Sequence, residues 1–243
     1  MNKVKYLIGN LKMNLTYLES KGYLEKISEG YDNLVVNPNV KLGMAFSHDA
    51  ISLATKYPDR KFWLGTQNIA HKIKGALTGE VSIKSVEELG LDFVLIGHSE
   101  RRCLFNENNE LINEKLALLA KTKIKAILCI GENYEEFIGG KTEDVIKNQL
   151  EIALKNIDIF DNLLISYEPV YCIGNGIIPK NEHIQKIVNL IQKLTNKNIP
   201  ILYGGSVCKT NISEMAKIKN LSGFLVGTSA INPDDFIELS KIL

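Results

Sequence analysis

Phe93-Val94-Leu95-Ile96-Gly97-His98-Ser99-Glu100-Arg101-Arg102 is a short apolar run that ends at a glycine and turns polar at once. A strand covered by protein on both faces reads this way, because neither face needs a polar residue until the chain emerges. A second stretch repeats the design: Leu163-Leu164-Ile165-Ser166-Tyr167 leads into Glu168-Pro169-Val170-Tyr171 and then Cys172-Ile173-Gly174-Asn175-Gly176. Each string sets an ionisable side chain, His98 or Glu168, where a buried strand opens into a loop. A histidine and a glutamate so placed can act as electrophile and base.

Similar runs occupy 6–9, 41–45, 62–65, 126–130, 199–203 and 224–226, which with 93–97 and 163–167 makes eight candidate strands. Amphipathic stretches lie between them. Leu111, Ile112, Lys115, Leu116, Leu118 and Leu119 mark one, and Ile184, Ile187, Val188, Ile191 and Leu194 form a clean helical stripe in another. Ser82 and Asn211 are predicted N-caps, the second with Glu214 as its capping-box partner. Strand and helix alternate with no composition break, linker or low-complexity tract, which predicts one α/β unit with a parallel sheet. Eight such units in 243 residues predict a single (β/α)8 barrel domain over 1–243. A doubly wound open sheet is the rival, but no G-x-G-x-x-G follows the first strand. The connections 68–80 and 169–181 are longer than usual and are candidates for function or association.

Composition excludes several classes. Hydrophobic residues are 45% and charged residues 23%, as in an ordinary soluble globular protein. A net charge of +1 supplies no general field for nucleic acid or an anionic membrane, so any anion needs a local site. The apolar patch 4–8 is interrupted by Lys5 and is too short for a signal core or a spanning helix. Cys103, Cys129, Cys172 and Cys208 are far apart without a C-x-x-C pair, and read as reduced thiols of a cytoplasmic protein. His48, His71, His98 and His183 show no metal-ligand spacing, so no metal is expected.

Five places carry candidate chemistry. Pro169 forces Glu168 towards extended geometry and starts a rigid segment, with Gly174 and Gly176 beyond it. This fits a carboxylate base beneath a closing lid, or a strand-end carboxylate capping nearby amides. His98 fits an electrophile kept neutral by an adjacent helix N-terminus, or a structural histidine. Asn10 and Lys12 end the first strand and could orient a polar group and hold an anion, although a solvated lysine reads the same way. Gly204-Gly205-Ser206 and Gly227-Thr228-Ser229 end the seventh and eighth strands, where small residues leave N–H groups free to cradle a phosphate. Cys129 and Cys172 lack a placeable base and read as packing residues.

Together these strings resemble the triosephosphate isomerase family over essentially the whole chain. The resemblance rests on Asn10-Leu11-Lys12-Met13-Asn14, on 96–102, on Cys129-Ile130-Gly131-Glu132, on Tyr167-Glu168-Pro169-Val170, on Tyr203-Gly204-Gly205-Ser206-Val207 and on Gly223-Phe224-Leu225-Val226-Gly227. It implies a TIM barrel that interconverts dihydroxyacetone phosphate and D-glyceraldehyde 3-phosphate without metal or organic cofactor. It further implies Glu168 as base, neutral His98 as electrophile, and Asn10 and Lys12 as substrate contacts. Gly174, Ser206, Gly227 and Thr228 would supply phosphate-binding N–H groups under a lid over 169–178. Thr78, in Ala76-Leu77-Thr78-Gly79-Glu80, would approach a partner's site in a homodimer. Departures from the family pattern include Leu11 and Tyr171 where tryptophan is usual. Cys172 replaces an alanine, Asn175 a threonine and Thr228 a second glycine, and Ile177-Ile178-Pro179 forms an unusual second hinge. A different phosphosugar isomerase or a barrel without turnover are the alternatives, and the combination of His98 with Glu168 discriminates against both.

Overall fold

A computed structural model describes residues 5–33, 35–173 and 178–243. Eight parallel strands close into a barrel in chain order, with β1 paired to both β2 and β8. They are β1 (Lys5–Asn10), β2 (Val40–Phe46), β3 (Trp63–Thr66), β4 (Phe93–Ile96), β5 (Lys125–Ile130), β6 (Leu163–Tyr167), β7 (Ile201–Tyr203) and β8 (Leu221–Val226). The surrounding helices are α1 (Tyr17–Asp32), α2 (Ile83–Glu88), α3 (Ser99–Leu104), α4 (Asn109–Leu119), α5 (Tyr134–Ile138), α6 (Thr142–Ala153), α7 (Asn181–Thr195), α8 (Ile212–Met215) and α9 (Pro233–Ile242). This is the (β/α)8 architecture. Its second unit departs from the repeat, with a 3₁₀ turn at Ile51–Lys56 in place of an α-helix.

Successive residues along each strand alternate between two apolar clusters. Leu7, Leu42, Val94, Leu128 and Ile165 join the large cluster shared with the helices, whereas Ile8, Ala45, Leu95, Ile127 and Leu164 fill the barrel. Both faces of every strand are therefore buried, which explains continuous apolar runs in place of polar alternation.

Strand ends differ from the sequence expectation in two ways that matter. β1 runs on to Asn10, which pairs with Ala45 and so reaches the barrel rim. β8 begins at Leu221, three residues earlier than expected, because Leu221 pairs with Ile201 before a register shift.

Among the helices, α7 buries Ile184, Ile187, Val188 and Ile191, with Leu194 packed against the core. Ser82 caps α2, its hydroxyl accepting from the Lys84 N–H at 3.1 Å. Asn211 does not cap α8, whose N-terminus has no side-chain cap, because its amide is held by the preceding loop. Capping boxes instead start α1 and α5, at Thr16 with Glu19 and Asn133 with Glu136. Both follow the same spacing rule that misassigned Asn211.

The loop after β3 is closed at its base. The Ala70 N–H donates to the Val81 carbonyl at 2.9 Å, and the Ser82 hydroxyl donates to Ile73 at 2.6 Å. Buried Lys115 donates to Asn68 at 2.7 Å and to Glu107 at 2.6 Å. Thr78 is exposed at the far end. No described helix is long and apolar enough to cross a membrane.

Candidate active site

Asn10, Lys12, His98, Glu168, Ser206, Gly227 and Thr228 line one cavity of about 280 Å³ at the C-terminal ends of β1, β4, β6, β7 and β8. Widely spaced residues meet there because parallel strands all deliver their exits to one rim. Gly174 lies outside the described residues, but Ile173 and Ile178 on either side of it also line the cavity.

His98 directly precedes α3 and serves as its N-cap, with Nδ1 accepting the Glu100 N–H at 3.3 Å. A nitrogen that accepts carries no proton, so this bond requires the neutral ring with its proton on Nε2. Nε2–H faces the cavity and stands 3.7 Å from Glu168 Oε2. Arg102 fixes the strand end beneath it, donating to the Gly97 carbonyl at 2.7 Å and to the Cys129 carbonyl at 3.0 Å.

Glu168 is 2% exposed. Its Oε1 accepts from the Ser166 hydroxyl at 3.1 Å, while Oε2 has no hydrogen-bond partner among the described residues. A buried carboxylate oxygen without a donor is costly and calls for a functional explanation. Two glycines make room for it. A Cβ on Gly131 would lie 1.8 Å from the Glu168 carbonyl oxygen, and one on Gly204 would lie 2.4 Å from Glu168 Cγ. Gly131 therefore makes room for the Glu168 main chain and Gly204 for its side chain, as much as for any ligand.

Lys12 adopts φ 50°, a left-handed conformation uncommon for lysine. Three contacts hold it there. Its N–H donates to Asn10 Oδ1 at 3.1 Å, Gln67 donates to its carbonyl at 2.7 Å, and its Nζ pairs with Glu100 at 2.6 Å. The ammonium thus reaches the cavity with a tether that an anion can compete for.

On the opposite side, the loops after β7 and β8 face each other. The Ser206 hydroxyl donates to the Cys172 carbonyl at 2.6 Å, and the Ser229 hydroxyl donates to the Val207 carbonyl at 2.6 Å. Cys129 and Cys172 are buried, and burial pushes both thiols up, Cys172 to about 12. Neither is a thiolate near neutral pH.

Sequence reasoning missed Gln67, Glu100, Ser166 and Asn211 as supports of the site. Ser166 had a signal, since residues two apart on a strand share a face and Glu168 continues β6. Gln67 had none, because its partners Lys12 and Ala45 are brought to it by the fold, whereas Asn211 bonds within five residues and its spacing also fits a helix cap.

A closed parallel barrel with a buried carboxylate and an imidazole converging at its C-terminal mouth defines an α/β barrel with a site suited to acid–base chemistry. The model of the family described as triosephosphate isomerase matches residues 5–243. The chain is 36% identical over 239 residues to the triosephosphate isomerase of Mycoplasma mobile, covering 98% of this chain and 99% of that protein. It is 38% identical over 250 residues to that of Mycoplasmoides gallisepticum, covering 98% of each, and 35% identical over 237 residues to that of Mycoplasmopsis pulmonis, covering 96% and 95%. The chain belongs to the triosephosphate isomerase family.

Proposed function

We propose that the protein interconverts dihydroxyacetone phosphate and D-glyceraldehyde 3-phosphate through an ene-diolate, the isomerisation shared by glycolysis and gluconeogenesis. Glu168 Oε2 takes a proton from the carbon beside the carbonyl, and His98 Nε2–H donates to the carbonyl oxygen as negative charge grows on it. The same carboxyl then returns the proton to the neighbouring carbon. Hydrogen moves as a proton and no net oxidation occurs, so the reaction needs no redox cofactor. A glutamate base beside a neutral histidine is the known chemistry of this family rather than a new result of this geometry.

The remaining candidates hold the substrate. Asn10 and Lys12 contact it, with the Lys12 ammonium supplying positive charge near the oxyanion. The N–H groups of Gly174, Ser206, Gly227 and Thr228 cradle the phosphate. The lid that the family resemblance assigns to 169–178, of which 174–177 lie outside the described residues, would exclude water that could protonate or fragment the ene-diolate.

The single observation that supports this reading most is Glu168 Oε2, without a donor among the described residues, opposite His98 Nε2, 3.7 Å apart, on one cavity. A coupled assay of purified protein with D-glyceraldehyde 3-phosphate tests it. Turnover that survives chelation is expected, and turnover no faster than buffer overturns the reading.

We also assign the working unit as a homodimer in the cytoplasm. Supporting the dimer, exposed Met13 and Phe105 border a second cavity of about 670 Å³ that shares Lys12 and His98 with the first. Thr78 is exposed, and the family resemblance has its loop enter that cavity on another copy. The four free cysteines suit a reducing compartment. Sedimentation should give twice the 27.2 kDa chain mass, and a monomer active at that same concentration would refute the assignment.

A further inference from the structure

The loop that leaves β7 is clamped by a side chain that touches none of the reacting atoms. Asn211 Nδ2 donates to the Ser206 carbonyl at 3.1 Å, and its Oδ1 accepts from the Cys208 N–H at 2.9 Å. One amide group thus bridges both ends of the 206–208 segment, and only one orientation of that amide satisfies both partners. The carbonyl between them, Val207, is occupied by the Ser229 hydroxyl at 2.6 Å.

Two consecutive carbonyls and one N–H of this loop are therefore committed to protein partners. A loop carbonyl rotated into the cavity would set its partial negative charge against a phosphate oxygen. Holding both carbonyls away leaves N–H groups as what the loop can offer an anion. The N–H groups of Gly205 and Val207 have no acceptor among the described residues. Asn211 itself lines the cavity beside them and, as the fold shows, is not spent on capping α8.

We propose that Asn211 is a positioning residue for the anion end of the cavity, holding the Ser206–Val207 peptide so that the loop presents donors to a phosphoryl group. This rests on the phosphate-cradle reading above. It makes a separable claim, since the base and the imidazole lie just past β6 and β4 and neither bonds to Asn211.

The test compares wild type with Asn211→Ala in three measurements. These are competitive inhibition by inorganic phosphate, KM and kcat for D-glyceraldehyde 3-phosphate, and turnover of phosphate-free D-glyceraldehyde. The inhibition constant for phosphate and KM should each rise roughly tenfold, the scale of losing two modest hydrogen bonds. Turnover of the phosphate-free substrate should stay within about twofold, because only remote binding energy is removed. Asn211→Asp keeps the acceptor for Cys208 but loses the donor to Ser206 and adds negative charge, so it should weaken phosphate more than alanine does. It is isosteric and reads the same quantities if the alanine variant does not fold. Phosphate affinity unchanged in both variants overturns the proposal, as does an equal loss on the phosphate-free substrate. If phosphate fails to inhibit wild type, the cradle reading itself falls and takes this inference with it.

Discussion

Glu132 and Glu168 are two carboxylates in nearly the same place with different surroundings. Both lie just past a strand, β5 and β6, on the same rim, and they are 0% and 2% exposed. Each has one oxygen that accepts from a hydroxyl, Tyr167 at 3.0 Å for Glu132 and Ser166 at 3.1 Å for Glu168. Each has a histidine just beyond hydrogen-bond reach, His183 at 3.8 Å and His98 at 3.7 Å. In each, the second oxygen has no donor among the described residues.

What differs is where that arrangement faces. Glu168 opens on the cavity, whereas Glu132 does not line it and sits among Tyr167, Tyr203 and the His183 ring. Burial first, and the Glu132 carboxylate second, push the Tyr167 hydroxyl far up, so that it stays a donor. Its single proton goes to Glu132, and His183 Nε2, 3.1 Å from the same oxygen, must therefore donate to it. Around Glu132 the protons are committed to the protein, while around Glu168 an imidazole N–H and a carboxylate oxygen are left for a ligand. Burial and a nearby histidine do not by themselves make a base. What sets the proposed base apart is an oxygen without a donor among the described residues that faces the cavity.

The comparison breaks first, and by the largest margin, on charge removal. Glu168→Gln should lower kcat by about 10³–10⁴, the upper range of general-base catalysis, while Glu132→Gln should cost under about tenfold. Equal losses measured in the coupled assay would mean that the cavity does not distinguish the two groups. His98→Ala should follow, with kcat down by roughly 10²–10³ from losing one donor to the developing oxyanion. Wild-type turnover in that variant would remove the imidazole from the chemistry. Shortening the base, Glu168→Asp, should cost on the order of 10² in kcat/KM, and no loss would show that reach is not limiting.

The smallest effect on rate belongs to the other carboxylate. Tyr167→Phe strips the donor from Glu132 and should cost about 1–3 kcal/mol of stability, with kcat changed only a few-fold. Thermal unfolding followed beside the assay checks it. An unchanged melting temperature with a collapsed rate would reverse the roles assigned to the two clusters.

The β4 and β6 strings were legible because a parallel barrel buries both strand faces and releases polar side chains at one rim. Once strand order was known, Asn10, Lys12, His98, Glu168, Ser206, Gly227 and Thr228 had to gather at one end. The helix starting at Asn211 shows the opposite case. Its capping spacing with Glu214 is genuine, yet the Asn211 amide bonds to Ser206 and Cys208, and Glu214 pairs with Lys217 at 2.5 Å. A local rule loses when a competing local partner is better placed, and spacing alone cannot rank the two.

The amino-acid order by itself determined the period of the elements, their parallel sense and the rim on which ionisable groups emerge, because these follow from side-chain hydrophobicity and strand geometry over a few residues. Tertiary structure alone decided which of two buried glutamates faces open space, and that Gln67 and Glu100 hold Lys12 in its left-handed turn. Those outcomes depend on hydrogen-bond partners far apart in the chain, and such partners exist only once the barrel has closed.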